Sequence, residues 1–512
     1  MKRICTLLLA AGMLLGVATG ASAIDFKAKG QWLMGFGLAE TNPIHKSRND
    51  NVKTTNTKDQ FGAQQRVRLQ LDAVASEALS GTVFFEIGNQ VWGSNKAGVG
   101  GGALGADGAN AIKVKRAYID WMVPQTDLKF RMGIQGVTLP NKAGGSAIMD
   151  TDAAGVTASY QFNENVGLTA MWVRALNDNY AGEDSHGVDN YRQNFLDNAD
   201  LFALMVPVKL DGFEITPWAM YGAAGKNSLN GYNVQGGWGT ADGDLSYTMR
   251  PYPATMGAMG NTSKAYGNMF WAGLPFAITA WDPLNIEVDV NYGYVEAMGR
   301  YDAWKGPRVA DNFKRGSTER QGWLAKALVE YKMDWGVPGI FGWYGSGDDG
   351  NVKNGSERMP SIVPMGNFTS FLGDGNYGWM YTDYAVDYSG TWGLGLQIRD
   401  MSFVEDLKHT FRVAYWGGTN SPSMAKYMGQ ARDWANGYDQ DNNGPYLTTN
   451  DGLLEFNLVN SYQMYENFDV NLELGYIANF VDNDTWNKAG NHNSSFQKQD
   501  MWKAQLIFAY SF

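Results

Sequence analysis

The chain has 512 residues, with 41 Lys and Arg against 52 Asp and Glu, 63 Gly, 15 Pro and 13% aromatic side chains. The acidic balance argues against nucleic acid as a partner, and abundant glycine and aromatics with few prolines suit many strands joined by turns rather than disorder. A slightly negative mean hydropathy excludes a helical membrane protein but not a barrel, whose strands are half polar.

Lys2 and Arg3 precede an apolar run over 7–18, and Ala21-Ser22-Ala23 closes the segment. A basic start, a short apolar stretch and an A-x-A site predict a secretory signal peptide over 1–23. The run is too short to span a bilayer as a helix. Cys5, the only cysteine, lies inside it, so the exported chain is expected to form no disulfide. Without Lys2 and Arg3 the 41 basic residues become 39 against 52 acidic, a charge of −13. The remaining about 490 residues usually suggest several soluble domains. A large barrel is the exception, because closure removes its edges and needs no central core.

In chain order, 26–38 places Trp32, Met34, Phe36 and Leu38 on one face of a first strand. A polar loop leads to 61–73, where Phe61, Ala63, Val67, Leu69, Leu71 and Ala73 alternate with Gln64, Arg66, Arg68, Gln70 and Asp72. Charges in the middle of an amphipathic strand need water opposite the lipid, and a wide lumen supplies it. Strands at 82–89, 113–123 and 128–137 follow. Their outward sets are Ala117, Ile119, Trp121 and Val123, then Leu128, Phe130, Met132 and Ile134. Arg116, Tyr118, Asp120, Lys129, Arg131 and Gln135 read as inward.

Later pairs fall at 155–160 with 167–175, 201–208 with 213–222, 269–281 with 286–295, 323–333 with 339–344, 391–402 with 409–417, and 453–464 with 468–480. The last strand, 499–512, sets Trp502, Ala504, Leu506, Phe508, Tyr510 and Phe512 against Met501, Lys503, Gln505, Ile507, Ala509 and Ser511. Aromatic residues at both ends with aliphatic and small ones between fit a lipid-facing strand with two interfacial girdles. Short connections alternate with long ones throughout, as periplasmic turns and external loops require. The fold expected is an all-β transmembrane antiparallel barrel of about 18 strands, or 16 if a weak pair merges, as a single domain over 24–512. The closing strand should bond to 26–38, with Lys503 and Gln505 in lumen water.

The signal segment, the lumen-basic strands around Arg66-Val67-Arg68 and Lys129-Phe130-Arg131, and the terminal Phe512 resemble a Gram-negative general porin. The Trp- and Met-rich strands and large later loops are similar to the homotrimeric porins of sulfate-reducing bacteria. The resemblance implies a trimer of pores in the outer membrane and diffusive uptake of small hydrophilic solutes. It also makes Phe512, with Tyr510 and Phe508, the expected signal read by the barrel-assembly machinery, among outer-membrane lipid and lipopolysaccharide.

Porin-like barrels fold the loop after the fifth strand into the pore, here 139–153 with Asp150 and Asp152. Facing a ladder of Arg66, Arg68, Arg116, Lys129 and Arg131, these acids would set a transverse field that orients solutes. The plain alternative is solvated charge without influence on conductance. Asp439, Asp441 and Asn443 with Gly444 copy the first half of a calcium loop, but position twelve is Asn450 and flanking helices are missing, so a hydrated turn competes with a structural calcium site. Asp348-Asp349-Gly350-Asn351 is a weaker copy. No other cofactor is expected.

The four histidines, His45, His186, His409 and His492, sit in no catalytic motif, and no enzymatic activity is expected. Tyr118 facing the lumen offers a stacking surface for sugar rings, the basis of a saccharide- or anion-selective alternative to a general porin. A structural or adhesion barrel is the remaining alternative.

Overall fold

The computed structural model describes residues 24–40, 44–45, 60–94, 101–105, 112–177, 198–225, 267–297, 300–304, 313–372, 384–427, 446–486 and 497–512. The expected signal segment over 1–23, His186, His492 and the expected calcium-loop residues Asp439, Asp441 and Asn443 lie outside them.

Eighteen antiparallel staves form one closed sheet. They are β1 (Asp25–Glu40), β2 (Gln60–Ser76), β3 (Leu79–Val91), β4 (Ile112–Met122), β5 (Lys129–Thr138), β6 (Asp150–Gln161), β7 (Gly167–Asn177), β8 (Asn198–Met205 continued by Val208–Leu210) and β9 (Phe213–Ile215 continued by Trp218–Ala224). They continue as β10 (Gly267–Ile278), β11 (Leu284–Val295), β12 (Arg320–Tyr331), β13 (Val337–Gly345), β14 (Thr391–Val404), β15 (Leu407–Gly418), β16 (Gly452–Tyr465), β17 (Phe468–Asn479) and β18 (Met501–Ser511). Every stave pairs with its sequence neighbours, and β18 closes on β1 from Gln31↔Ser511 to Glu40↔Trp502. The expected 18 strands are all present, and the reading of 16 falls. No helix among the described residues is long and apolar enough to cross a membrane.

The breaks in β8 and β9 have a local cause. Pro207, Pro217 and Pro275 meet at one level of three adjoining staves, and each lacks the N–H that a ladder uses. The backbone adapts: Gly167 and Thr216 donate to the Pro207 and Pro275 carbonyls, and Val206 donates to that of Pro217.

Connections at one end of the barrel hold two to six residues, while those at the other hold eleven or more. Along the staves, exposed Phe202, Leu204, Phe270, Leu394, Leu396 and Leu474 alternate with buried inward neighbours, which makes the outer surface an apolar band. The terminal strand follows the expected alternation: Ile507 and Ala509 are buried inward and Tyr510 is exposed. Phe512 lies over Gly30, with Gly30 N–H donating to its carbonyl at 2.7 Å and its own N–H donating to the Gly30 carbonyl at 3.0 Å. A Cβ at Gly30 would stand 2.6 Å from the Phe512 ring, so the close approach requires glycine there.

The interior differs from expectation. A hydrophobic core lies inside the barrel, where wall residues Trp271, Phe341, Trp343 and Trp416 pack against Ile148, Met359, Phe368, Phe371 and Tyr388 from the long connections. Closure does make a central core unnecessary for the sheet, but apolar side chains on the long connections have no other surface to cover. Lys503 and Gln505 are therefore 2% and 1% exposed, not in open water, because the segment 367–372 covers them.

Candidate functional site

Two segments from the long-loop end enter the lumen and are anchored on the opposite wall. The first, 139–149, leaves β5 and reaches β11 and β12. There Asp289 accepts N–H bonds from Lys142 (2.9 Å) and Ala143 (2.7 Å). Lys326 is fully buried; it donates to the Ala143 carbonyl at 2.5 Å and to that of Gly145, and lies 3.5 Å from Asp289. Further along, Lys142 Nζ reaches Glu214 at 2.5 Å.

The second segment comes from the β13–β14 connection. Thr369 Oγ1 and Phe371 N–H donate to Glu455, Ser370 N–H to Asn457, and Lys503 Nζ to the Ser370 carbonyl at 2.6 Å. Lys503 also pairs with Glu473 at 2.8 Å. The two segments meet through Gly145–Ser146 against Met365–Gly366, and Tyr388 donates its hydroxyl to the Gly144 carbonyl. These anchors join the segments to β11, β12 and β16–β18 and bury that half of the wall.

The inward charged residues Arg66, Arg68, Asp72, Glu86, Asp120 and Arg131 of β2–β5 stay partly exposed, while Gln64, Thr82 and Gln135 beside them are buried. Nearest the short turns, Asp120 on β4 accepts two bonds from Arg131 on β5, at 2.7 and 2.8 Å, and lies 3.4 Å from Lys129. The Arg131 guanidinium stacks on Tyr118 at 4.2 Å. Gly133 makes that packing possible, since it has φ +131° and a Cβ there would lie 2.8 Å from Tyr118 Cα. One row on, Thr82 Oγ1 donates to Asp72 at 2.6 Å, and Gln70 Nε2 donates to the same carboxylate at 2.9 Å. Beyond it Arg68 pairs with Glu86 at 2.8 Å. Arg66 points inward opposite buried Leu33.

Of the residues expected at a constriction, four therefore line one wall: Arg66, Arg68, Lys129 and Arg131. Asp150 and Asp152 are strand residues, the first and third of β6, not part of the entering loop. They share the row of Ala154 and Val156, which alternates with core-packed Ala153, so both stand on the outward row. Asp150 accepts from Thr138 Oγ1 at 2.7 Å. A bulge at Phe84/Phe85 brings Lys115 and Arg116 together on Asp152, at 2.6 and 2.5 Å. Arg116 is thus drawn from the ladder toward the outer row.

Tyr118 faces inward as expected, but Arg131 covers one face of its ring. His409 Nδ1 lies 2.7 Å from Asn460 Oδ1. Asp348 accepts hydrogen bonds from the Ser356 and Tyr446 hydroxyls at 2.6 Å each, within a buried network. Among the described residues no group of three His, Cys, Asp or Glu side chains could hold a metal.

Sequence reading missed Asp289, Lys326, Glu455 and Glu473. Their inward placement was legible: Lys326 stands between outward Ala325 and Ala327, and Asp289 between Val288 and Val290. Their partners were not, because the loop carbonyls that Lys326 holds lie more than 180 positions away.

The closed 18-stave antiparallel barrel is similar in fold to solved porin structures. Acinetobacter baumannii OccAB2 superposes with a TM-score of 0.50 at 11% identity, over 96% of this chain and 99% of that one. The fold is porin-like. A BenF-like porin from Pseudomonas fluorescens Pf-5 gives 0.48 at 8% identity over 95% and 98%, and Pseudomonas aeruginosa OccK2 in complex with glucuronate gives 0.46 at 10% over 95% and 98%. At these identities the likeness of this porin-like barrel to them is one of fold. No family model matches the chain, and no curated protein matches its sequence.

Proposed function

We propose that the protein is a passive outer-membrane channel in which small hydrophilic solutes pass along the β2–β5 wall. The observation that carries this reading is an uneven division of the lumen: anchored segments bury the long-loop side of β11–β18, where only turn-side groups such as Arg399 stay exposed, while Arg68, Glu86, Asp72, Asp120 and Arg131 on β2–β5 keep contact with water. Half-exposed ion pairs add only about 0–1 kcal/mol each to stability. A row of them is poorly explained as a stabilising device and well explained as the polar lining of an aqueous path.

The inserted segments favour a selective channel over a wide general porin, since they leave an eccentric passage whose wall chemistry every solute must meet. No cofactor takes part in this mechanism, and solutes move down their gradients. Purified protein in a planar bilayer should give discrete current steps, and liposomes containing it should swell in small polar solutes. A protein that inserts yet conducts nothing would instead be a structural barrel.

A further inference from the structure

We infer that the passage favours small zwitterions, solutes carrying an ammonium and a carboxylate a few ångströms apart. The inference rests on the channel reading above. It starts from how the open wall is charged: its carboxylates and most of its cations stand in contact with a partner, rather than forming a single-sign ladder. Asp120 stands between Arg131 and Lys129, and Glu86 holds Arg68 at 2.8 Å.

A solute in contact with such a pair must replace what it disturbs. A simple anion that takes the Arg131 fork leaves Asp120 without its two charge-assisted bonds, and a simple cation on Asp120 leaves Arg131 uncompensated. A zwitterion replaces both at once, its carboxylate on the guanidinium and its ammonium on Asp120. The rung is built for that exchange: Arg131 is kept flat by Tyr118, Lys129 at 3.4 Å is the looser partner, and Asp120 remains within reach of water at 17% side-chain exposure. Arg68–Glu86 repeats the pattern three inward rows away, with 29% and 16% exposure, so a solute released from one pair meets a second. Asp72 between them is held by the neutral donors Thr82 and Gln70 and offers a further carboxylate for an ammonium.

The test is proteoliposome uptake of four solutes of similar size: a neutral α-amino acid, a monocarboxylate, a monoamine and an uncharged polyol, each in the same salt. The zwitterion should enter several-fold faster than the other three. Asp120→Asn should move preference toward the carboxylate and Arg131→Gln toward the amine, with ion selectivity read in parallel from reversal potentials. Equal rates for all four, or fastest entry of the carboxylate or polyol into wild-type liposomes, would overturn the inference while leaving a channel. Entry of none would overturn the channel reading itself.

Discussion

Gly30 and Phe512 show how much a single contact decides at the barrel seam. The terminal ring lies where a side chain on residue 30 would be, and two backbone bonds join the same residues. Gly30→Val should displace Phe512 at a cost on the order of 1–3 kcal/mol. It should slow barrel closure, read as delayed appearance of the compact, heat-modifiable band on gels, without changing solute preference once assembled. Normal assembly kinetics would remove the seam contact from the account.

A second residue-scale effect concerns Glu357, in the β13–β14 connection outside the wall. Burial, reinforced by the charges of Asp348 and Asp349, pushes its carboxyl up to about 7, against the N–H bond it accepts from Asp349 at 3.0 Å. A carboxyl with a folded pKa above its unfolded value of 4.5 favours the folded state most when protonated. Its penalty is absent below about 4.5, grows as pH rises, and is complete above about 7. Hydrogen exchange over 346–360, corrected for intrinsic rates, should therefore show protection falling between pH 5 and 8. Glu357→Gln should flatten that dependence.

At the scale of elements, the sequence alternation carried the staves well. Strong period-two patterns in β2, β4, β5 and β18 needed only the rule that side chains alternate, and even the closing pair was legible. The inserted segments were less so. That the loop after β5 enters the lumen followed from resemblance, but its anchors depend on side chains brought together across the barrel. The bulge that pulls Lys115 and Arg116 onto Asp152 left no mark in an alternation read without the neighbouring strand. The boundary error there, taking Asp150 and Asp152 as loop residues, moved two acids from the outer row into the supposed pore.

The lysine anchors give a prediction at this scale. Removing one member of a buried ion pair leaves the other uncompensated, typically at 3–5 kcal/mol. Lys326→Met should loosen 139–149 from Asp289, and Lys503→Met should loosen 367–372 from Glu473 and Glu455. Each variant should raise protease sensitivity within its own segment while the barrel still forms. Pairing Lys326→Met with Asp289→Leu should recover part of the lost stability, because no orphan charge remains. Equal destabilisation of single and double variants would show that the ion pair is not what matters there.

For the whole molecule, the barrel and its plugs divide the work. The sheet closes on itself and needs no interior, whereas the inserted segments need the wall and bury Trp271, Trp343 and Trp416 against their own apolar residues. In the proposed channel, the solute path is what that packing leaves over, along β2–β5. This account is tested most directly by single-channel current in a planar bilayer, comparing wild type with the Lys326→Met, Lys503→Met double variant. Wild type should give small uniform steps, and the double variant larger and noisier ones as the covered half of the lumen opens. Steps of identical size in both, from variants whose segments are demonstrably released, would contradict a passage set by those segments.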